Sequence, residues 1–96
     1  MSYELSFLPA ALKEWRKLSP GIRGQFKKKL EERLLQPEVS ADQLKGYQHV
    51  YKIKLKSAGY RLAYKVMHDK VIVLVLAIGK REREEVYKTL ANRKVD

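Results

Sequence analysis

The sequence predicts a small α+β domain in the order β-α-α-β-β-β-α. Its sheet should have four mostly antiparallel strands, with two N-terminal helices on one face and a C-terminal helix. Three observations carry that expectation. Apolar residues recur at helical spacing between Leu8 and Leu34. Apolar and basic residues alternate strictly in two runs between Tyr51 and Val66. The run from Val71 to Ile78 is apolar on both faces, as a central strand is. No repeat, low-complexity tract or Gly/Ser linker interrupts the chain, so residues 1–96 are read as one domain.

Each element has a local reason. Tyr3, Leu5 and Phe7 alternate with Ser2, Glu4 and Ser6, the pattern of a half-buried strand. Pro9 can open a helix, since the first helical position needs no N–H donor. Leu8, Ala11, Leu12, Trp15 and Leu18 then form one stripe, with Lys13, Glu14, Arg16 and Lys17 opposite. Ser19-Pro20 reads as a capping serine followed by a helix-opening proline. The second helix carries Ile22, Phe26, Leu30 and Leu34 on one stripe and stops at Pro37. The tight turn between the helices predicts an antiparallel pair. Ala41 to Gly46 reads as one helical turn closing on glycine. Tyr51–Lys56 and Tyr60–Val66 form a hairpin around Ser57-Ala58-Gly59. Met67 to Lys70 is a second turn, Gly79 ends the third strand of this meander, and a polar helix runs from Glu82 to about Leu90 with Val86 and Leu90 inward.

Composition restricts the chemistry. Twenty-one Lys+Arg against 11 Asp+Glu leave a formal charge of +10, which points to polyanionic partners. A 45% hydrophobic content with six Tyr argues against disorder. The absence of cysteine excludes disulfides, a thiol nucleophile and thiolate metal sites. Only two histidines argue against an imidazole-rich metal cluster; His49 and His68 fall at or near turns and are read as ordinary polar residues. No metal or cofactor is expected. Val71 to Gly79 is less than half of the roughly 20 residues of a membrane span, so no membrane association is expected. The N-terminal residues have neither the charged nor the apolar region of a signal peptide, which predicts a cytoplasmic protein.

Much of the charge falls on one face. Side chains two apart in a strand share a side, so Lys52, Lys54 and Lys56 oppose Tyr51, Ile53 and Leu55. Arg61, Ala63 and Lys65 likewise oppose Tyr60, Leu62, Tyr64 and Val66. The apolar faces coincide when paired residue numbers sum to an odd value, as when Lys54 lies opposite Arg61 or Ala63. Like charges facing one another destabilise a sheet. A solvated outer face is the ordinary explanation of such a pattern. With both N-terminal helices on the other side, however, this is expected to be the one open face, floored by Val71, Val73, Val75 and Ala77. A low floor between long basic side chains suits a phosphate backbone.

A second constellation is Gly79-Lys80-Arg81-Glu82-Arg83-Glu84-Glu85-Val86-Tyr87. A surface helix with spaced ion pairs accounts for Glu82, Arg83, Glu84 and Glu85. It accounts less well for Arg81, directly after a buried strand. Tyr87 is read either as the edge of the core or as a stacking partner for an exposed base. RNA cleavage by a 2′-hydroxyl needs a base, an acid and stabilisation of the phosphorane charge. Here Lys, Arg and Tyr must supply them. Repulsion from Lys52, Lys56 and Arg61 favours a neutral Lys54 amine, which makes Lys54 a candidate base.

Leu12-Lys13-Glu14-Trp15-Arg16-Lys17-Leu18, Leu44-Lys45-Gly46, Tyr51-Lys52-Ile53-Lys54-Leu55, Ser57 to Leu62 and Gly79 to Arg83 with Val86-Tyr87 resemble the RelE toxins of bacterial type II toxin–antitoxin systems. The resemblance covers nearly the whole chain, and the Gly-Lys-Arg-Glu-Arg stretch is its most specific piece. It implies a RelE/ParE-like, microbial-RNase-like fold. It also implies a ribosome-dependent endoribonuclease that enters the A site of the 70S ribosome, beside 16S rRNA, and cuts mRNA there. A RelB-type antitoxin would neutralise it, and operator DNA would be met only through that complex. Carried across by motif, the active-site positions are Lys52, Lys54, Arg61, Arg81 and Tyr87. Lys54 is the base and Arg81 the acid; Lys52 and Arg61 neutralise phosphate, and Tyr87 stacks on or orients the substrate. An arginine gives up its proton reluctantly, so Arg81 is read chiefly as a phosphate stabiliser that can also donate. Lys45, Lys56, Lys65, Lys80 and Arg83 are the further RNA-binding positions. Two rivals are a ParE-like toxin acting on DNA gyrase, which would leave the active-site set without purpose, and an RNA- or ribosome-binding module that binds with a steep salt dependence but does not cut.

Overall fold

The computed structural model describes residues 2–82 and 85–93. The elements are β1 (Glu4–Phe7), α1 (Pro9–Lys17), α2 (Pro20–Leu35), a short 3-10 turn (Ser40–Asp42), β2 (Val50–Leu55), β3 (Tyr60–Met67), β4 (Ile72–Lys80) and α3 (Glu85–Asn92). Pro9 and Pro20 open their helices as expected, and Ser19 Oγ accepts the Ile22 N–H at 3.4 Å. Among the described residues, no helix is long and apolar enough to cross a membrane.

The sheet order is β1-β4-β3-β2. β1 runs parallel to β4 and the other neighbours are antiparallel, so the sheet is mixed but mostly antiparallel. The β2–β3 register follows the odd-sum rule, with Lys54 opposite Arg61 and Lys52 opposite Ala63. The β2–β3 turn closes on Gly59 at φ +71°, a left-handed conformation that favours glycine. Two expectations are corrected here. Residues 41–46 do not form a helical turn ending at Gly46. Instead Gln43 bridges to Tyr51 and the Leu44 N–H donates to the Val50 carbonyl at 2.9 Å, drawing the chain out beside β2. β4 continues past Gly79 to Lys80, because β3 still offers Tyr60 as a partner.

One face of the sheet is covered by α1 and α2. Ala11, Leu18, Phe26 and Leu30 pack there with Ile53, Leu62, Tyr64, Val73 and Val75. The opposite face is not left open: α3 lies across β3 and β4, burying Val86 and Leu90 with Ala63, Leu76, Ala77 and Val50. Both cores depend on a bulge. Ala63 pairs with Ala77 but Tyr64 pairs with Val75, so Leu76 is an extra residue in β4. Leu76 and Ala77 therefore point the same way, and Ile78 returns to the α1–α2 side.

The bulge also redirects backbone groups past the end of β1. The Ile78 N–H donates to Glu14 Oε1 of α1 at 3.0 Å, and the Leu76 carbonyl accepts from Arg93 Nη1 at 2.6 Å. Arg93 closes the unit by donating to both Glu14 oxygens, at 3.1 and 2.9 Å. Main-chain groups without a strand neighbour are thus paired, and the end of α3 is fastened to α1. Arg93→Ala is expected to lower stability by about 1–2 kcal/mol and to speed amide exchange selectively in α3, measured by urea unfolding and hydrogen exchange.

A second polar cluster underlies β2. Arg33 of α2 donates to the Tyr64 hydroxyl at 2.7 Å, to Asp42 Oδ2 at 2.6 Å and to the Lys52 carbonyl at 3.3 Å. The Tyr64 hydroxyl donates onward to the Pro37 carbonyl at 2.7 Å. Burial raises the Tyr64 pKa, against the opposing pull of the Arg33 charge. For Arg33, burial disfavours the cation, but the bonds to Tyr64 and Asp42 outweigh it and the pKa is raised.

Candidate functional site

On the α3 side of the sheet, the strand pairings set side chains in rows. Lys54, Arg61 and Gly79 form one row, and Lys52, Ala63 and Ala77 the next. Long basic side chains therefore stand over positions that carry a methyl group or nothing. Of the expected floor, Ala77 is in place beside Ala63, but Val73 and Val75 are not: ahead of the bulge they face α1 and α2. The open surface is also smaller than expected, because α3 occupies the β3–β4 part of the face.

What remains is an open cleft of about 470 Å³ lined by Leu44, Lys45, Tyr47, Lys52, Arg61 and Tyr87. The 44–47 segment forms one wall, held by the Leu44–Val50 bond, and Tyr87 of α3 contributes to another. Arg61 joins sheet to helix: its Nη1 donates to the Tyr87 hydroxyl at 3.0 Å, and its guanidinium carbon lies 5.5 Å from the Tyr87 ring centroid. That separation lies within cation–π range. The bond uses one of the guanidinium donors and leaves the others for an anion. Tyr87 is at once the half-buried edge of the α3 core and part of the cleft lining. Among the described side chains, no carboxylate or imidazole lines the cleft.

The expected site residues are not all gathered there. Lys45, Lys52, Arg61 and Tyr87 line the cleft; Lys54 is exposed in the adjoining row, opposite Arg61. Lys56 is exposed in the β2–β3 turn. Arg81 is exposed just beyond β4, where its N–H donates to the Gly59 carbonyl at 2.9 Å and ties it to that same turn. Lys65 lies at the far end of the face, paired with Val50 and Leu74. Lys80 stands apart, in a depression on the other side with Glu14, Lys17 and Tyr60. Arg83 lies outside the described residues. Sequence reasoning missed Leu44 and Tyr47. The signal for Tyr47 was an aromatic residue directly after Lys45-Gly46.

Residues 5–85 match the family model for the ParE toxin of the type II toxin–antitoxin system parDE. The mRNA interferase toxin RelE of Escherichia coli K12 is 53% identical over 97% of this chain and 98% of its own length. The chain belongs to the RelE toxin family. Its fold agrees with solved RelE structures: a double-arginine mutant of E. coli RelE in the free state superimposes with a TM-score of 0.89, at 49% identity, over 99% of this chain and 100% of that one. RelE in the intact E. coli RelBE toxin–antitoxin complex gives 0.82 at 52% identity, over 85% of this chain and 100% of that one.

Proposed function

We propose that this RelE-family chain is an mRNA interferase, a ribosome-dependent endoribonuclease that cuts mRNA at the A-site codon and so arrests translation. The observation that carries the reading is the Arg61–Tyr87 pair beside Lys52 in a cleft lined by Lys45, Lys52 and Arg61, with no carboxylate or imidazole among the described side chains. Lys54 accepts the 2′-hydroxyl proton as that oxygen attacks the adjacent phosphorus. Lys52 and Arg61 neutralise the phosphorane oxygens. Breaking the bond to the 5′ oxygen leaves a 2′,3′-cyclic phosphate and a 5′-hydroxyl, with Arg81 stabilising the departing charge and supplying the proton. Tyr87, fixed by Arg61, stacks on or orients the scissile nucleotide. The cleft is open, and the base and acid stand on exposed side chains. Positioning of the substrate is therefore left to the ribosome, including 16S rRNA near the A site. The +10 charge suits that RNA surface and an acidic neutralising partner of the RelB type. The ParE-like reading, action on gyrase, gives the Lys52, Arg61 and Tyr87 cleft no task.

The test is a ribosome complex carrying a defined A-site codon, with mRNA ends mapped by primer extension. A cut within that codon is expected. Intact mRNA with folded protein bound to the ribosome would overturn the reading in favour of a binding module, and arrest only through broken DNA would favour the gyrase rival. Arg61→Lys keeps the charge but loses the planar fork that bonds Tyr87, and should slow cleavage by about tenfold to a hundredfold in single-turnover assays.

A further inference from the structure

We propose that Glu38, His49 and His68 form a binding site for a divalent transition-metal ion of the zinc class. Glu38 and His49 come from the two ends of the α2–β2 connection and His68 from the β3–β4 turn, so only the folded chain brings them together. One ligand atom from each lies within 4.8 Å of the others. His68 Nε2 and Glu38 Oε1 are 3.5 Å apart. Zinc holds nitrogen and oxygen ligands at about 2.0–2.2 Å, which sets neighbouring tetrahedral ligands about 3.4 Å apart. Two imidazoles and one carboxylate suit zinc, and three protein ligands leave a coordination position for water.

The supporting contacts separate this group from a chance meeting of exposed side chains. Tyr51 donates its hydroxyl proton to Glu38 Oε2 at 3.3 Å, which leaves Oε1 toward the imidazole. The Tyr3 hydroxyl is hydrogen-bonded to His68 Nδ1 at 3.1 Å, which leaves Nε2 toward Glu38. Each of these ligands thus has its second heteroatom engaged by a tyrosine, the outer arrangement that orients metal ligands. His49 takes a left-handed backbone at φ +60°, its carbonyl accepts the Val66 N–H at 2.8 Å, and its ring lies 5.1 Å from that of His68 at 84°. Asp69 and Lys65 border the adjoining depression, so the surrounding charge is mixed. An ion here would join both ends of the α2–β2 connection to the β3–β4 turn. That connection includes Tyr47, so the cleft wall carrying Lys45 would stiffen.

The experiment titrates untagged full-length protein with zinc by calorimetry and with cobalt(II) by visible absorption. One equivalent is expected to bind, with the cobalt bands of a low-symmetry site. A hundredfold excess over Kd should raise Tm by on the order of 10 °C. His49→Ala and His68→Ala should each weaken binding at least tenfold. Glu38→Gln preserves shape while removing the charge, so its similar loss of affinity tests the site even where a histidine variant folds poorly. Absence of saturable binding in the wild-type chain would overturn the proposal, and so would unchanged affinity in folded His49→Ala or Glu38→Gln. The readout is binding alone, so neither result bears on mRNA cleavage.

Discussion

Lys54→Ala is expected to slow single-turnover cleavage of ribosome-bound mRNA by about 10²–10⁴-fold, the contribution of a positioned general base, while ribosome binding stays within a fewfold of wild type. The separation follows from the structure. Lys54 is exposed on β2, and truncating it opens no cavity, so stability should change by less than about 0.5 kcal/mol. It is one cation among many on a strongly basic chain, so docking on ribosomal RNA retains most of its electrostatic attraction. Lys54→Arg discriminates the role: it preserves charge beside Arg61 but replaces the amine with a guanidinium that does not accept a proton at neutral pH. Recovery of the wild-type rate in Lys54→Arg would show that Lys54 acts through charge alone. Arg81→Ala should lose activity on a similar scale without loss of binding, and wild-type rates in either alanine variant would defeat the assignment.

Tyr64→Ala should destabilise the protein by about 3–5 kcal/mol, in the range of large aromatic truncations in cores. Tyr64 is fully buried and stacks on Tyr51 with ring centroids 5.8 Å apart, while its hydroxyl links Arg33 to the Pro37 carbonyl. Tyr64→Phe isolates the polar part. It leaves the ring in place, removes one partner from Arg33 and from Pro37, and should cost about 1–2 kcal/mol. The two variants also differ from wild type at high pH. The folded-state pKa of Tyr64 is raised, so its contribution is fully present below the unfolded tyrosine value of about 10 and is lost as pH rises beyond it. Tyr64→Phe should therefore flatten the alkaline decline in stability, measured by urea unfolding across that range. An unchanged decline would assign the loss to other groups, such as Tyr51, whose pKa burial and Glu38 also raise.

The hairpin was legible because alternation carries phase: once Tyr51 and Tyr60 share an apolar face, Lys54 must meet Arg61 or a residue an even number of places from it. The Ser19-Pro20 start of α2 was legible because capping is local chemistry. β4 was legible as a central strand but its facing was not, since a run that is apolar on both faces contains no alternation from which facing could be read. That is why Val73 and Val75 were expected beneath the cleft with Ala77, where Ala63 and Ala77 lie. Val86 and Leu90 marked one side of α3 as inward, but which side of the sheet it covers is decided by tertiary packing. Of the five positions carried over by resemblance that line or adjoin the cleft, Lys52, Lys54, Arg61 and Tyr87 sit on regular elements and Lys45 sits in a turn. Tyr47 sits in a turn, where no periodicity points to it. Glu38, His49 and His68 meet only where the α2–β2 connection folds against the β3–β4 turn, and no spacing in the sequence announces them.

The additional residue at Leu76 has a consequence for how this strand can change over generations. Removing Leu76 would take out the bulge and leave the later facing intact, because Leu76 and Ala77 share a side: Ala77 would still face α3 and Ile78 would still face α1 and α2, at the cost of the Leu76 carbonyl's bond to Arg93. Removing both Leu76 and Ala77 would turn over every later position, sending Ile78 toward α3 and the Gly79 position toward α1, and detaching Glu14 from the main chain it holds. Length variation in this run should therefore be tolerated for one residue and rejected for two, a parity rule that a deletion series scored for folding would expose.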